Sequence, residues 1–195
     1  MRYSAQHKQE TRDRIVRAAA RRFRGRGEND VAIADLMQEL KLTHGGFYRH
    51  FNSKQDLFAE SIERAFEESA EMLLQAAKRA DPGDELKSII ETYLSPQHCA
   101  SASKGCPVAA LASELARHSR AVRLRFDKAV QNHAKRFATF LPGSTEADKK
   151  HNFAVLFSGM AGALSVARAG RRRGYARENS ARSEGVLYPV FLFVG

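Results

Sequence analysis

Apolar residues recur three and four positions apart along most of this 195-residue chain, the spacing of helices that each bury one face. Ile15, Ala18, Ala19 and Phe23 form one such stripe, predicting a helix over residues 6–25 that Gly25 and Gly27 stop. Ile33, Leu36, Met37 and Leu40 mark a short second helix, and Lys41-Leu42 joins it to the stretch Thr43–Lys54. Ser53-Lys54-Gln55-Asp56 then opens a long helix in the manner of a capping box, with Asp56 in place of the usual Glu. Leu57, Phe58, Ile62, Phe66, Leu73 and Ala77 carry that helix to Arg79, a length of roughly 40 Å at 1.5 Å per residue. Its acidic middle (Glu60, Glu63, Glu67, Glu68, Glu71) reads as a solvated face, and Asp81-Pro82-Gly83 ends it. Further helices follow over residues 84–94, 107–117 and 119–140, with a polar, flexible loop from Ser95 to Gly105. Pro142-Gly143 breaks the series before Thr145 and Asp148 open a last helix through Phe153, Phe157, Met160, Leu164 and Ala167. The pattern predicts an all-α protein.

The stretch from Thr43 to Lys54 carries the chemistry. Thr43 is a good N-cap, its hydroxyl placed to accept a first-turn N–H. Gly45 and Gly46 follow in that turn, where a missing side chain lets backbone approach a base edge or a phosphate. Phe47 and Phe51, four apart, give the helix one apolar face. Tyr48, Arg49, His50 and Lys54 crowd its remaining surface with donors. Two short helices joined by a tight turn make a helix-turn-helix. In such a motif, phosphate contacts fix register while the first turn reads bases, here Thr43, His44, Gly45 and Gly46.

Residues 10–66 resemble the tetracycline-repressor (TetR) family of bacterial transcription regulators. The resemblance is carried by Thr11-Arg12-Asp13-Arg14-Ile15, Ala18-Ala19, Phe23, Gly27 and Ile33-Ala34-Asp35-Leu36. Its most specific part is Phe47-Tyr48-Arg49-His50-Phe51 with Ser53-Lys54 and Leu57-Phe58. It implies an N-terminal three-helix helix-turn-helix DNA-binding domain (residues 1–52). A long helix would join this to a C-terminal antiparallel helical bundle for ligand binding and dimerisation (residues 53–195). The chain departs from the family pattern in three places. Glu28 stands where an aromatic residue usually follows the glycine. Val31 and Ala32 replace a phosphate-touching Ser or Thr, leaving Asn29 or Asp30 as candidate caps. Lys41 occupies a turn position often held by Gly, where a positive φ would cost a side-chain-bearing residue on the order of 1 kcal/mol.

Charge agrees with a nucleic-acid partner. The formal net charge is +10, and residues 1–54 hold 12 Lys or Arg against 6 Asp or Glu. Arg12, Arg14, Arg17, Arg21, Arg22 and Arg24 surround the first helix, and one or two of them are expected to touch phosphate. Two cysteines, no signal peptide and no apolar run near 18 residues indicate a cytoplasmic protein with no membrane partner.

Gly105-Cys106-Pro107 places Cys106 at or beside the N-cap of a helix, since proline favours the first helical position. The helix dipole and Lys104 would both favour a thiolate there, and the resemblance adds that some relatives sense oxidants or electrophiles with such a cysteine. Cys99, in the loop, would be a resolving thiol. The bland reading of Cys106 is a small buried core residue. His98, His118, His133 and His151 match no zinc-ligand spacing, so no metal or other cofactor is expected. A Cys106–His118 hydrolase dyad would be roughly 18 Å apart along a helix, too far to share a proton, so no catalytic residues are expected.

Phe66, Phe126, Phe153 and Phe157 are candidates to line an apolar ligand pocket. Gly159, Gly162 and Ala163 let two helices approach closely, and the resemblance places a homodimer interface there. The tail beyond Gly170 breaks the pattern. Arg171-Arg172-Arg173 precedes Val186–Val194, where Pro189 opposes the amphipathic helix that the resemblance implies. Nine apolar-rich residues are too few to span a membrane, leaving an extended segment on the bundle or an altered terminus.

These features predict a homodimeric DNA-binding regulator, most simply a repressor. It would sit on a near-palindromic operator and leave it on binding a small molecule or on reaction of a thiol with an electrophile. The alternative is a basic helical adaptor binding a membrane surface or a protein partner.

Overall fold

The computed structural model describes residues 5–170; the expectations about the basic run and the apolar tail fall outside those residues. Every regular element within them is helical: α1 (Ala5–Arg26), α2 (Ile33–Glu39), α3 (His44–Phe47), α4 (Lys54–Arg79), α5 (Glu85–Tyr93), α6 (Pro96–Ala100), α7 (Pro107–Leu115), α8 (Arg120–Phe137) and α9 (Glu146–Ala169). By packing they form two units. The first takes residues 5–72 and 102–136, and the second takes 73–101 and 137–170. Two of the three boundaries fall inside helices α4 and α8, and the third follows α6 at 101/102.

The first unit is built on α1. Ile15, Ala19 and Phe23 are buried, as are Leu36 and Met37 of α2, Phe47 and Phe51 around α3, and Leu57, Phe58 and Ile62 of α4. The Phe23 and Phe58 rings meet edge to face with centroids 5.1 Å apart, the arrangement their quadrupoles favour. Leu111 and Leu115 of α7 with Val122 and Ala129 of α8 extend the core. In the second unit Tyr93 and Ile89 are buried, together with Phe153, Phe157, Met160 and Leu164 of α9.

Caps explain most of the boundaries. The Thr145 hydroxyl accepts from Asp148 N at 3.1 Å while the Asp148 carboxylate accepts from Thr145 N at 3.0 Å, a complete capping box. The Thr145 hydroxyl also donates to the Asp148 carboxylate at 2.8 Å; that bond first, then the one from Thr145 N, holds the Asp148 carboxyl below its usual range. At α4 the Ser53 hydroxyl accepts from Asp56 N (3.1 Å), but Asp56 reaches back to Asn52 N at 3.4 Å, one residue earlier than in a standard box.

Two expectations change. The N-cap of α2 is Ala32, which offers no side-chain acceptor, so neither Asn29 nor Asp30 caps that helix. Ser95–Gly105 is not a flexible loop: it holds α6 and a 3₁₀ turn at Ala102–Lys104. Ser95 caps α6 by accepting from His98 N at 3.2 Å, Pro96 supplies the first position, and buried His98 donates through Nδ1 to the Tyr93 carbonyl. The chain of caps was present in the residues, but a five-residue helix has no periodicity to reveal it. Helix α9 is long and apolar enough, by length and composition, to cross a membrane; its buried residues are core of the second unit.

Candidate nucleic-acid interface

The helix-turn-helix is made by a turn that glycine would enter more readily. Lys41 has φ 58°, the left-handed region that the sequence made a concern, and there Leu42 N returns to the Met37 carbonyl at 2.8 Å. From α1, the Arg14 guanidinium donates to the Leu40 carbonyl at 3.3 Å, and Arg22 pairs with Glu39. These bonds hold the end of α2 against α1 and so set where the next helix starts.

Thr43 caps that helix as expected, its hydroxyl accepting from Gly46 N at 3.2 Å. A cap of this kind is worth about 1 kcal/mol. Gly45 is exposed, and a Cβ built on it meets nothing within 4 Å; one on Gly46 would meet the Thr43 hydroxyl at 3.2 Å. Gly46 is thus a packing glycine, whereas Gly45 leaves backbone bare at the surface. The turns continue past α3 through His50 N to Phe47 O (2.9 Å) and Phe51 N to Phe47 O (3.1 Å). Phe47 and Phe51 stack at 5.4 Å in the core.

The opposite face is open. Tyr48 is 64% exposed. Thr43, His44 and Arg49 are also exposed, while His50 and Lys54 are half-buried. His44 and Tyr48 rings meet edge-on at 5.9 Å. His50 is turned partly inward, its Nδ1 enclosed without a hydrogen-bond partner. Burial first, then the charges of Lys8, Arg12 and Arg49, hold its pKa below the usual imidazole value, so it is neutral at pH 7.

Arg12 braces this face from behind. Its Nη1 donates to the His50 carbonyl, its Nε donates to Glu60 at 3.2 Å, and its guanidinium lies 4.2 Å over the Phe51 ring. Sequence reasoning missed this role and grouped Arg12 with the phosphate-contact candidates, because its partners lie far away in the chain. Arg24 is likewise internal, bonded to Glu68 at 2.6 Å and to the Gly105 carbonyl at 3.1 Å. Burial lowers its pKa and the Glu68 bond and charge raise it. Of the α1 arginines, Arg17, Arg21 and Arg26 are the exposed ones without a hydrogen bond or ion pair among the described residues. Glu28, the apparent misfit, accepts from His118 Nε2 at 2.8 Å, and Glu28 N donates to Glu114 at 2.8 Å.

A threonine-capped helix opened by glycine thus presents exposed donors and is backed by an internal arginine. The model of the family described as bacterial regulatory proteins, tetR family, matches residues 15–61. Residues 15–61 therefore resemble the N-terminal part of the TetR family. Over 172 residues it is 29% identical to a helix-turn-helix transcriptional regulator from Mycobacterium tuberculosis strain CDC 1551 / Oshkosh, covering 82% of this chain and 85% of that protein. The transcriptional repressor BepR of Brucella suis biovar 1 is 37% identical over 73 residues, which is 37% of this chain and 35% of that one. The crystal structure of a TetR-family regulator from Cytophaga hutchinsonii superposes with a TM-score of 0.69 at 21% identity, over 88% of this chain and 90% of that one. The last likeness is one of fold.

The other predicted sites are placed as follows. Phe66 and Phe126 lie in the first unit with ring centroids 5.8 Å apart, and Phe153 and Phe157 stack at 5.1 Å in the second. The four therefore fall into two pairs rather than one cluster within a unit. Cys106 is the N-cap of α7, as expected, but fully buried. Cys99 is half-buried in α6, not in a loop, and neither cysteine forms a disulfide among the described residues. On α9, Gly162 is exposed with open space above it, and Gly159 and Ala163 are half-buried.

Proposed function

We propose that this regulator is a homodimeric repressor that leaves a near-palindromic operator when its helical body takes up a ligand. Transcription regulation through DNA is the family's activity; repression, dimerisation and release are our reading. The observation that carries it is the α3 face: Thr43, His44 and bare Gly45 at the helix start, with Tyr48, Arg49, His50 and Lys54 behind them. Thr43 and His44 are assigned to bases, and Tyr48, Arg49 and Lys54 to phosphates. On this reading residues 1–52 are the functional head and the remainder the sensing and pairing part.

The outward face of α9 supports pairing. Val166 is 74% exposed and Val155 38%, and they share that face with open Gly162. Apolar groups with no water-excluding cover favour a second copy, and two-fold pairing would set recognition helices about 34–36 Å apart or a multiple of that. The name of the Brucella relative, a repressor, favours repression. Release through Cys106 is the less favoured route, because reagent reaches a fully buried thiol only when the start of α7 opens. A Cys106→Ser protein that still leaves DNA on treatment with an electrophile would make this cysteine structural.

The test is a gel shift against the protein's own upstream DNA. Tyr48→Phe or Lys54→Ala should weaken binding to all sequences alike. The Thr43→Ala/His44→Ala double variant should alter sequence preference by about 1–3 kcal/mol per lost base contact. A double variant that binds its operator as tightly as the parent would refute the placement.

A further inference from the structure

An open groove of about 370 Å³ lies between α4 and α8 within the first unit. That volume is in the range of small-molecule sites. Its base is apolar and buried: Phe66 from α4, with Ala129 and His133 from α8. The His133 ring meets Phe66 edge-on at 5.4 Å, and Phe126 stands against Phe66 from the side. Burial, then the Arg136 charge, lowers the His133 pKa to about 4, so this base is uncharged at neutral pH.

The two walls differ in charge. On the α4 side, Glu63 is taken up by Arg125 through bonds of 2.9 and 2.8 Å, and Glu67 pairs with Arg64 at 3.3 Å. Both carboxylates are already compensated. On the α8 side, Lys128, Asn132 and Arg136 recur four apart and are exposed, forming a row about 12 Å long at 1.5 Å per residue. Neither Lys128 nor Arg136 has an ion-pair partner among the described residues. The groove therefore offers two unspent cations and an amide above an aromatic floor.

We infer that this groove is a binding site for an organic acid with a flat apolar body, such as an aromatic carboxylate. The rings would lie on Phe66 and the His133 ring, and the carboxylate would accept from Arg136 or Lys128, with Asn132 between them. Arginine suits a carboxylate because its planar fork gives two parallel donors. A cationic ligand would meet Lys128 and Arg136 unscreened, and would have to compete with Arg125 and Arg64 for the two glutamates. The inference rests on the reading that the body of this regulator takes up a ligand, and it names the place and the class.

The probe is 2-naphthoate, with uncharged 2-naphthamide as control. The chain has no tryptophan, so naphthoate fluorescence is read against a low background. The full chain should bind naphthoate about tenfold more tightly than the amide, the weight of one charge-assisted contact. Lys128→Gln/Arg136→Gln should erase that preference. Both positions are exposed, and helical circular dichroism verifies that the variant folds. Equal affinity for acid and amide, no binding of naphthoate at millimolar concentration, or an unchanged preference in the folded variant would each overturn the assignment. The gel shift separates the two claims: naphthoate that binds with the stated preference and leaves the operator complex intact upholds the groove and refutes release from it.

Discussion

Replacing Arg12 by leucine tests whether the reading head is positioned from within the protein. Three attachments are lost: the bond to the His50 carbonyl, the pair with Glu60, and the contact 4.2 Å over Phe51. Hydrogen bonds to charged groups contribute about 1.5–3 kcal/mol. Here the Arg12 and Glu60 side chains are 27% and 23% exposed, so solvent screening puts the pair at the low end, about 1–2 kcal/mol. The carbonyl left without a donor adds about 1 kcal/mol, and the cation over the ring adds about 0.5–1 kcal/mol. Leucine regains part of this by packing on Phe51, for a net loss of about 2–3 kcal/mol. Urea unfolding measures that number directly. Operator titrations over a range of salt then ask where the charge was used. A guanidinium spent inside the protein leaves the slope of log K against log salt unchanged, whereas each lost phosphate contact lowers it by about 0.9. The expectation is weaker operator binding, an unchanged slope and a lower unfolding midpoint. Unaltered stability with a slope reduced by about one contact would refute the brace and return Arg12 to the phosphate-binding set.

Three other outcomes are expected. His133 binds its proton more weakly in the folded state, with a pKa of about 4 against about 6.5 unfolded; its contribution to stability is therefore complete above pH 6.5 and lost as pH falls towards 4. Between pH 7 and 5 the parent should lose about 2 kcal/mol more than His133→Phe in urea unfolding, and parallel pH curves would refute this. Lys128 and Arg136 reinforce the effect and Glu63 and Glu67, across the groove, oppose it. Lys41→Gly relieves the positive φ and should raise the thermal midpoint, by an amount corresponding to up to about 1 kcal/mol after the added flexibility of the unfolded chain; a lower midpoint would show that the strain is negligible. Val166→Glu, on the exposed face of α9, should convert a dimer to a monomer in sedimentation at micromolar concentration, and an unchanged dimer would move the interface elsewhere.

Much of this architecture was legible because its signals are local. Periodicity located α1, α4 and α9 to within about two residues, and Thr43, Pro107 and Thr145 marked helix starts through hydroxyl caps or the fixed φ of proline. The Lys41 conformation was anticipated from a single departure in a turn. The roles of Arg12, Arg24 and Glu28 were not legible, because each is defined by a partner remote in sequence: His50 and Glu60, Glu68 and Gly105, Glu114 and His118. The surroundings of the phenylalanines were not legible either. Phenylalanines at helical spacing announce a core, and only packing shows that Phe66 has a groove above it while Phe153 and Phe157 pair in another unit.

Those remote contacts also say how a change in the body would reach the DNA-binding face. The end of α1 and the turn after it are tied to both ends of α7. Arg24 holds the Gly105 carbonyl just before that helix, Glu114 near its end accepts from Glu28 N, and His118 beyond it meets Glu28. The Arg24 side chain has no exposure and shares Glu68 with Arg64 of α4. Pulling α7 away from α1 alone would cost the buried Arg24 guanidinium its bond to the Gly105 carbonyl while leaving its pair with Glu68 in place, about 1–3 kcal/mol. A displacement of α7 is therefore cheaper when α1 moves with it. Since α1 also carries Arg12, Arg14 and Arg22, which fix α2 and the recognition helix, the head would turn as a block instead of coming apart. A ligand needs a differential affinity of about 5.5 kcal/mol to swing such a two-state block from 1:99 to 99:1. The Arg24–Gly105, Glu28–Glu114 and Glu28–His118 bonds, at about 1–3 kcal/mol each, would consume a large part of that differential if broken, so a transition that keeps them needs less binding energy.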